Sequence, residues 1–445
     1  MKLTIRETAE PTPIATPTPG EGEARVSDVI GGAGDGKVGL AWKNPSSSFT
    51  AVEVRRKTGS YPQNPYDGTM VYRGVQDNFV DTDLVNGTEY FYAVVVYDEG
   101  NLPSPIEEEN RISLTPHEIS LFGTHDPFAD RVISYDNLSD NYGFGLTWLI
   151  GTTPEDTEDA REDVAAMQEG LNDTPVGDYV SVIGGSDGRA ESGPSPDTYL
   201  VTGLGGSIDG TYARVEETEV NGSPVYRNGA YYIYYAVYFE TDTYRTSRAL
   251  GAPRGAGSYQ GSQDVVSLQA KVNDGDPPCG GSIILEFTDN IVVNGNGDDF
   301  TVFENVFYID GDESKRFMEP AMVYVSQNGS DYYRFPCNYS QGHNRGVFNP
   351  ETYDYGFTGI NPVFSNNGSP DPTRLDENPG GDSFNLDDIT AKNLTWIRYI
   401  KLKSTGDNWL TDDDGDMIRH NRESGACSGL GSSGFDLDAI SAVNY

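Results

Sequence analysis

A chain of 445 residues has room for about three domains, and its 30 Lys and Arg against 69 Asp and Glu give a net charge of -39. Such a field repels nucleic-acid phosphates and anionic lipid surfaces, which argues against nucleic acid as a partner, and no apolar run approaches the roughly 20 residues of a membrane-spanning helix. With 28 Tyr, 18 Phe, 52 Gly and 26 Pro, the composition describes short aromatic-rich strands joined by many turns, an all-β profile.

Residues 1–24 read as a Pro/Thr-rich linker. In Pro11-Thr-Pro-Ile-Ala-Thr-Pro-Thr-Pro19 the repeated prolines favour an extended polyproline-type spacer, the kind that holds a domain away from an anchor. Residues 1–30 carry no apolar leader region. Over residues 25–115, alternating runs separated by turn signals suit a small sandwich: Lys37-Val-Gly-Leu-Ala-Trp42, Ala51-Val-Glu-Val-Arg-Arg56 and Tyr90-Phe-Tyr-Ala-Val-Val-Val-Tyr97. Trp42, the Asn44-Pro45 after it and the corner sequence Leu84-Val-Asn-Gly-Thr-Glu-Tyr90 resemble the fibronectin type III family. The resemblance implies that Trp42 and Tyr90 are core residues and that the domain is a spacer or adhesive module.

Further along, Thr153-Pro-Glu-Asp156 offers an N-cap, a proline at the first helical position and acids at the positive end of the dipole. Ala160, Val164, Met167 and Leu171 then recur at helical spacing, so one short helix is expected over 153–171. After it come tyrosine-rich strand patterns around Tyr199, Tyr212, Tyr226 and Tyr231-Tyr-Ile-Tyr-Tyr235. These resemble a short β-repeat found in bacterial surface proteins, a likeness that supplies no function.

The flanks of that region carry a longer series in a fixed order: Asp126-Pro-Phe-Ala-Asp-Arg-Val-Ile-Ser-Tyr135, Asp298-Asp-Phe-Thr-Val-Phe-Glu-Asn305, Glu319-Pro-Ala321, Gly380-Gly-Asp-Ser-Phe-Asn-Leu386 and Gly434-Phe-Asp-Leu-Asp-Ala-Ile440. The series resembles a bacterial cell-surface family that includes members with exosortase (PEP-CTERM) sorting tails. The resemblance implies a jelly-roll, galactose-binding-like sandwich over residues 116–445, interrupted by an inserted subdomain at 146–248. It also implies a place at the cell surface or outside the cell. Of the three cysteines, Cys279, Cys337 and Cys427, at most two can pair within the chain; Cys337 with Cys427 is the expected bridge, with buried free thiols the alternative.

Alternation in Asp299-Phe-Thr-Val-Phe-Glu304 and Phe435-Asp-Leu-Asp438 leaves carboxylates on one face or at strand ends, and the jelly roll that the resemblance implies would make these two strands neighbours and crowd the acids together. Crowded acids repel one another unless a cation sits among them, and calcium takes six to eight oxygen ligands in flexible geometry. Asp299, Glu304, Asp382, Asp436 and Asp438 are the expected calcium ligands, with Asn305 and Glu319 behind them. The alternative is that these acids accept backbone N–H groups and cap turns.

Other motifs fail on context. Asp412-Asp-Asp-Gly-Asp416 is out of register for an EF-hand, since Gly415 at the sixth position would put Leu410 at the first. Gly381-Asp-Ser383 imitates a lipase nucleophile block, and Gly429-Leu-Gly-Ser-Ser-Gly434 a dinucleotide fingerprint, but neither has the flanking strand and helix its chemistry needs. His117, His125, His343 and His420 show no metal spacing and no nucleophile partner. The expectation is a non-enzymatic structural or adhesive surface protein with a calcium-stabilised sandwich, whose partner is a surface glycan or another surface protein. The alternatives are a carbohydrate-binding module and a glycan-active hydrolase.

Overall fold

The computed structural model describes residues 24–136, 281–340, 349–405 and 434–445 without interruption, together with parts of 143–269 and 410–418. The helix expected over 153–171, and Cys279 and Cys427, lie outside the described residues. What is described is all-β: antiparallel strands joined by turns and three-residue 3-10 turns. Packing divides the chain into two compact units. One holds the described part of Met1–Gly31 with Leu40–Phe79 and Thr88–Thr115, the other Gly32–Gly39, Val80–Gly87 and Pro116–Tyr445.

The first seven strands make two sheets. Ser27–Gly34, Lys37–Lys43 and Asn78–Asp81 form one in that order; Thr69–Gly74, Ala51–Thr58, Tyr90–Tyr97 and Arg111–Leu114 form the other. This three-plus-four arrangement is a fibronectin type III-like sandwich. Its first hairpin turns at Asp35-Gly36, where Gly36 has φ +61, a backbone that a side chain would strain. Trp42 is buried and its ring lies 5.8 Å from Tyr72, which in turn lies 5.2 Å from Phe79. That aromatic chain joins a strand of one sheet to a strand of the other, and Trp42 Nε1 donates to Asn44 Oδ1 so that its polar edge is satisfied. Tyr90 is buried as well.

In the second unit, two antiparallel sheets face each other. The larger carries Val265–Gln269, Gly434–Ala442, Phe300–Glu304 and Asp382–Phe384 as neighbours. The smaller carries Tyr333–Arg334, Ala321–Ser326, Tyr399–Ser404, Ser282–Glu286 and Arg131–Asp136 in that order. One apolar cluster takes Leu268, Phe300, Val302, Phe435 and Leu437 from the first and Ile283, Leu285, Val323, Ile400 and Leu402 from the second, so the core lies between two sheets packed face to face. Alternation explains which residues go in, with one exception. In the last strand the inward set shifts from Phe435 and Leu437 to Ile440 and Ala442, because a register break opposite Phe303 and Glu304 inserts one residue.

The strands of the 146–248 region continue the larger sheet. Gly143–Gly151 pairs with Val265–Gln269 through Phe144 and Gly143, and on its other side it pairs with Tyr231–Glu240 over nine residues. Ser223–Asn228, Gly210–Val220 and Thr198–Val201 follow outward in that order.

One correction concerns sulfur. Cys337 is a free, fully buried thiol rather than half of a disulfide. It packs in a second apolar cluster with Met318, Met322 and Tyr339, where burial pushes its thiol up to about 11, so it is inert as well as unpaired.

Two truncations test this layout. The fragment 25–115, which holds all seven strands of the first sandwich, should melt cooperatively on its own in circular dichroism; a fragment without a transition would show that its strands need the rest of the chain. Replacing 150–246 by a short Gly-Ser bridge should leave a soluble protein with a cooperative melt, since the removed strands lie at one side of the sheet and a shorter loop costs less to close. Aggregation or loss of that melt would make the segment part of the main core.

Candidate metal centre

Glu304, Glu319 and Asp436 each bring one carboxylate oxygen to a common point, these atoms lying within 4.8 Å of one another, and all three residues are buried. They come from three separate segments. Glu304 ends the Phe300–Glu304 strand, Asp436 lies in the adjacent last strand, and Glu319 stands two residues ahead of Ala321–Ser326, in the opposite sheet. The acids therefore meet where the two sheets of the sandwich approach each other.

Each has some anchoring. The Asp436 N–H donates to Glu304 Oε1 at 3.1 Å, the Gly434 N–H donates to Glu319 Oε1 at 2.9 Å, and the Ser267 hydroxyl donates to Asp436 Oδ1. Glu304 Oε2 has no hydrogen-bond partner, although the residue is 1% exposed, and Asn305 Oδ1 beside it is likewise buried and unpartnered. A buried oxygen left in that state costs about 1–3 kcal/mol. Two unit charges 4 Å apart repel by about 4 kcal/mol even at an effective dielectric of 20.

The titration behaviour follows from that crowding. Burial, then the charges of Glu319 and Asp436, push Glu304 well above the ordinary carboxylate range, against one backbone N–H from Asp436 that pulls the other way. Burial raises Asp436 to about 7 despite bonds from Ser267 and Asn305. Either protons or a cation can relieve such a site. The donors are all hard carboxylate oxygens, and that set suits calcium rather than a soft transition metal.

The other acids singled out in the sequence are engaged differently. Asp382 is on the neighbouring strand and its charge reaches Glu304, but its own oxygens accept from Gly359 N at 2.7 Å, Ile360 N at 2.9 Å and Asn361 Nδ2 at 2.7 Å. Burial still holds it at about 6. Gly359 is at φ +85, and a side chain there would meet the Glu319 carbonyl at 2.7 Å, so this approach requires glycine. Asp299 accepts from Gly295 N, Leu386 N and Asn444 Nδ2. Asp438 accepts from Arg254 N and the Ser262 hydroxyl. Asp299 and Asp438 thus tie loops to the sheet, while Glu304, Glu319 and Asp436 converge.

Elsewhere, Asp412 accepts from Tyr339 N, Asp414 N and Asp416 N, so this part of the acidic run organises its own loop. Ser383 pairs its hydroxyl with Thr301 at 2.9 Å. Glu319 sits nearer the centre than its supporting place in the sequence reading suggested. Its signal was a Glu-Pro step directly before a strand, where the proline biases the Glu319 backbone towards an extended conformation.

No family model matches the chain, and no curated protein matches it. Among solved structures, the solution structure of the fourth fibronectin type III domain of a human protein is similar at 18% identity, covering 26% of this chain and 95% of that one, with a TM-score of 0.19. The chicken CNTN1 FN1-FN3 domains are similar at 12% identity, covering 70% of this chain and 82% of that one, with a TM-score of 0.14. At these scores neither likeness bears on function. Among the described residues no helix is long and apolar enough to cross a membrane.

An acid whose folded pKa lies above its unfolded value binds more protons folded than unfolded. Its contribution to stability is therefore highest at acid pH and declines as pH rises towards the folded value. In chelator, urea stability should thus fall between about pH 4 and pH 7, the span from the ordinary aspartate value to that of Asp436, and Asp436→Asn should flatten the slope. A parent whose stability rises across that range would show that these acids are ionised and satisfied without a metal.

Proposed function

We propose that this chain is a non-catalytic structural or adhesive β-sandwich protein of the bacterial cell surface, and that calcium bound by Glu304, Glu319 and Asp436 holds its larger sandwich together. Asn305 Oδ1 is a further donor. The observation that carries this reading is the unpartnered, buried Oε2 of Glu304, a residue whose carboxylate meets those of Asp436 on the adjacent strand and of Glu319 just ahead of a strand in the opposite sheet. An ion there converts mutual repulsion into a cross-link between the sheets. Such a cross-link exists only in the folded chain, so it adds to stability directly. Calcium sites of extracellular modules work at about 10⁻⁴–10⁻³ M, which fits a protein that meets calcium only after leaving the cell.

A ligand that binds only the folded state stabilises it by about 2.7 kcal/mol at a hundredfold excess over its dissociation constant. Calcium should therefore raise the melting temperature of the second unit above its value in chelator. Glu304→Gln or Asp436→Asn should erase most of that difference. Asp299→Ala is the contrasting variant: it strips the acceptor from two backbone N–H groups, so it should cost about 1–3 kcal/mol equally with calcium and with chelator. Identical melting curves for the parent in calcium and in chelator would remove the metal from the account.

A further inference from the structure

Glu304 and Glu319 stand on either side of a β-hairpin. Among the described residues Phe307–Ile309 and Asp312–Phe317 form a separate two-stranded sheet, through Phe307 with Phe317 and Tyr308 with Arg316, and lie in neither sheet of the sandwich. Asp310 and Gly311 make the turn with φ +53 and +74, the doubly positive backbone of a tight two-residue hairpin. A two-stranded hairpin is marginal in water without outside support. Here the support is at its base: Val306 and Met318 are fully buried in one apolar cluster, and the next residues outward are Asn305 and Glu304 on one side and Glu319 on the other.

We propose that the same calcium ion is the clip that closes this hairpin's base, so that calcium sets how firmly residues 307–317 are presented at the surface. The inference rests on the calcium reading above. Without the ion the two stems end in carboxylates that repel; with it they are joined to each other and, through Asp436, to the last strand. A second tie leads to the same place. Arg316 donates to the Ile360 carbonyl at 3.1 Å and to Asn361 Oδ1, and Asn361 Nδ2 donates to Asp382, whose charge acts on Glu304. The Tyr308 N–H donates to the Ser258 carbonyl at 2.6 Å, next to Tyr259, which is 62% exposed and stands edge-on to Tyr308 at 6.2 Å. What calcium steadies is thus a surface segment that carries the exposed Glu313, Ser314 and Lys315 and packs Tyr308 beside the exposed Tyr259.

The test is hydrogen–deuterium exchange on the full chain in calcium and in chelator, beside calcium titration calorimetry on the same samples. Cross-strand amides of 307–317 should exchange at least tenfold more slowly with calcium, while those of Tyr90–Tyr97 in the first unit stay unchanged. Glu319→Gln should lose the slowing. Arg316→Ala should speed hairpin exchange under both conditions and keep calcium heat, which separates the second tie from the ion. Calcium heat with unchanged hairpin exchange would overturn the clip and leave the metal site standing. Absence of calcium heat in the parent would overturn both.

Discussion

Like charges forced together in a dry place set the terms for the second unit. Glu304, Glu319 and Asp436 are buried within reach of one another, and burial first, with neighbouring carboxylate charges added at Glu304, pushes Glu304 and Asp436 above their ordinary titration range. Folding brings them there because the apolar residues beside them in sequence, Phe303, Met318, Phe435 and Leu437, are all fully buried. Hydrophobic burial thus drives the acids into contact, and a cation turns that contact from a cost into a bond between sheets.

The same residue type does a second job close by. Asp299, Asp382, Asp412 and Asp438 are also buried, yet each accepts N–H groups and so ends as a satisfied tie between a loop and a strand. What separates the two groups is geometry. Where a carboxylate faces a turn, backbone donors reach it; where it faces another carboxylate across the sheets, one oxygen of Glu304 is left with none. An acidic surface field of -39 adds to the pull on any divalent cation.

Much of the architecture was legible in the sequence. Alternation in Phe300-Thr-Val-Phe303 and Phe435-Asp-Leu437, and the Trp42 and Tyr90 signals, pointed to strands and inward faces because the side-chain period of a strand is 2. The site was legible only in part. Glu304 and Asp436 stood out because Glu304 closes an apolar run and Asp436 alternates with Phe435 and Leu437 in a strand that becomes its neighbour. Asp299 and Asp438 showed the same pattern and are held by backbone donors, since a linear pattern does not reveal which loop will fold over a carboxylate. Glu319 was harder to place because its proximity to Asp436 depends on two sheets meeting. The free thiol of Cys337 had the same obstacle: only packing reveals that it is enclosed by Met318, Met322 and Tyr339.

Anomalous diffraction from crystals of the full chain grown in calcium tests the central claim most directly. The account predicts one anomalous peak among the carboxylates of Glu304, Glu319 and Asp436, with Asn305 Oδ1 turned towards it. A fully ordered site with no peak, its acids holding short hydrogen bonds to one another, would contradict it and show that protons alone resolve the crowding.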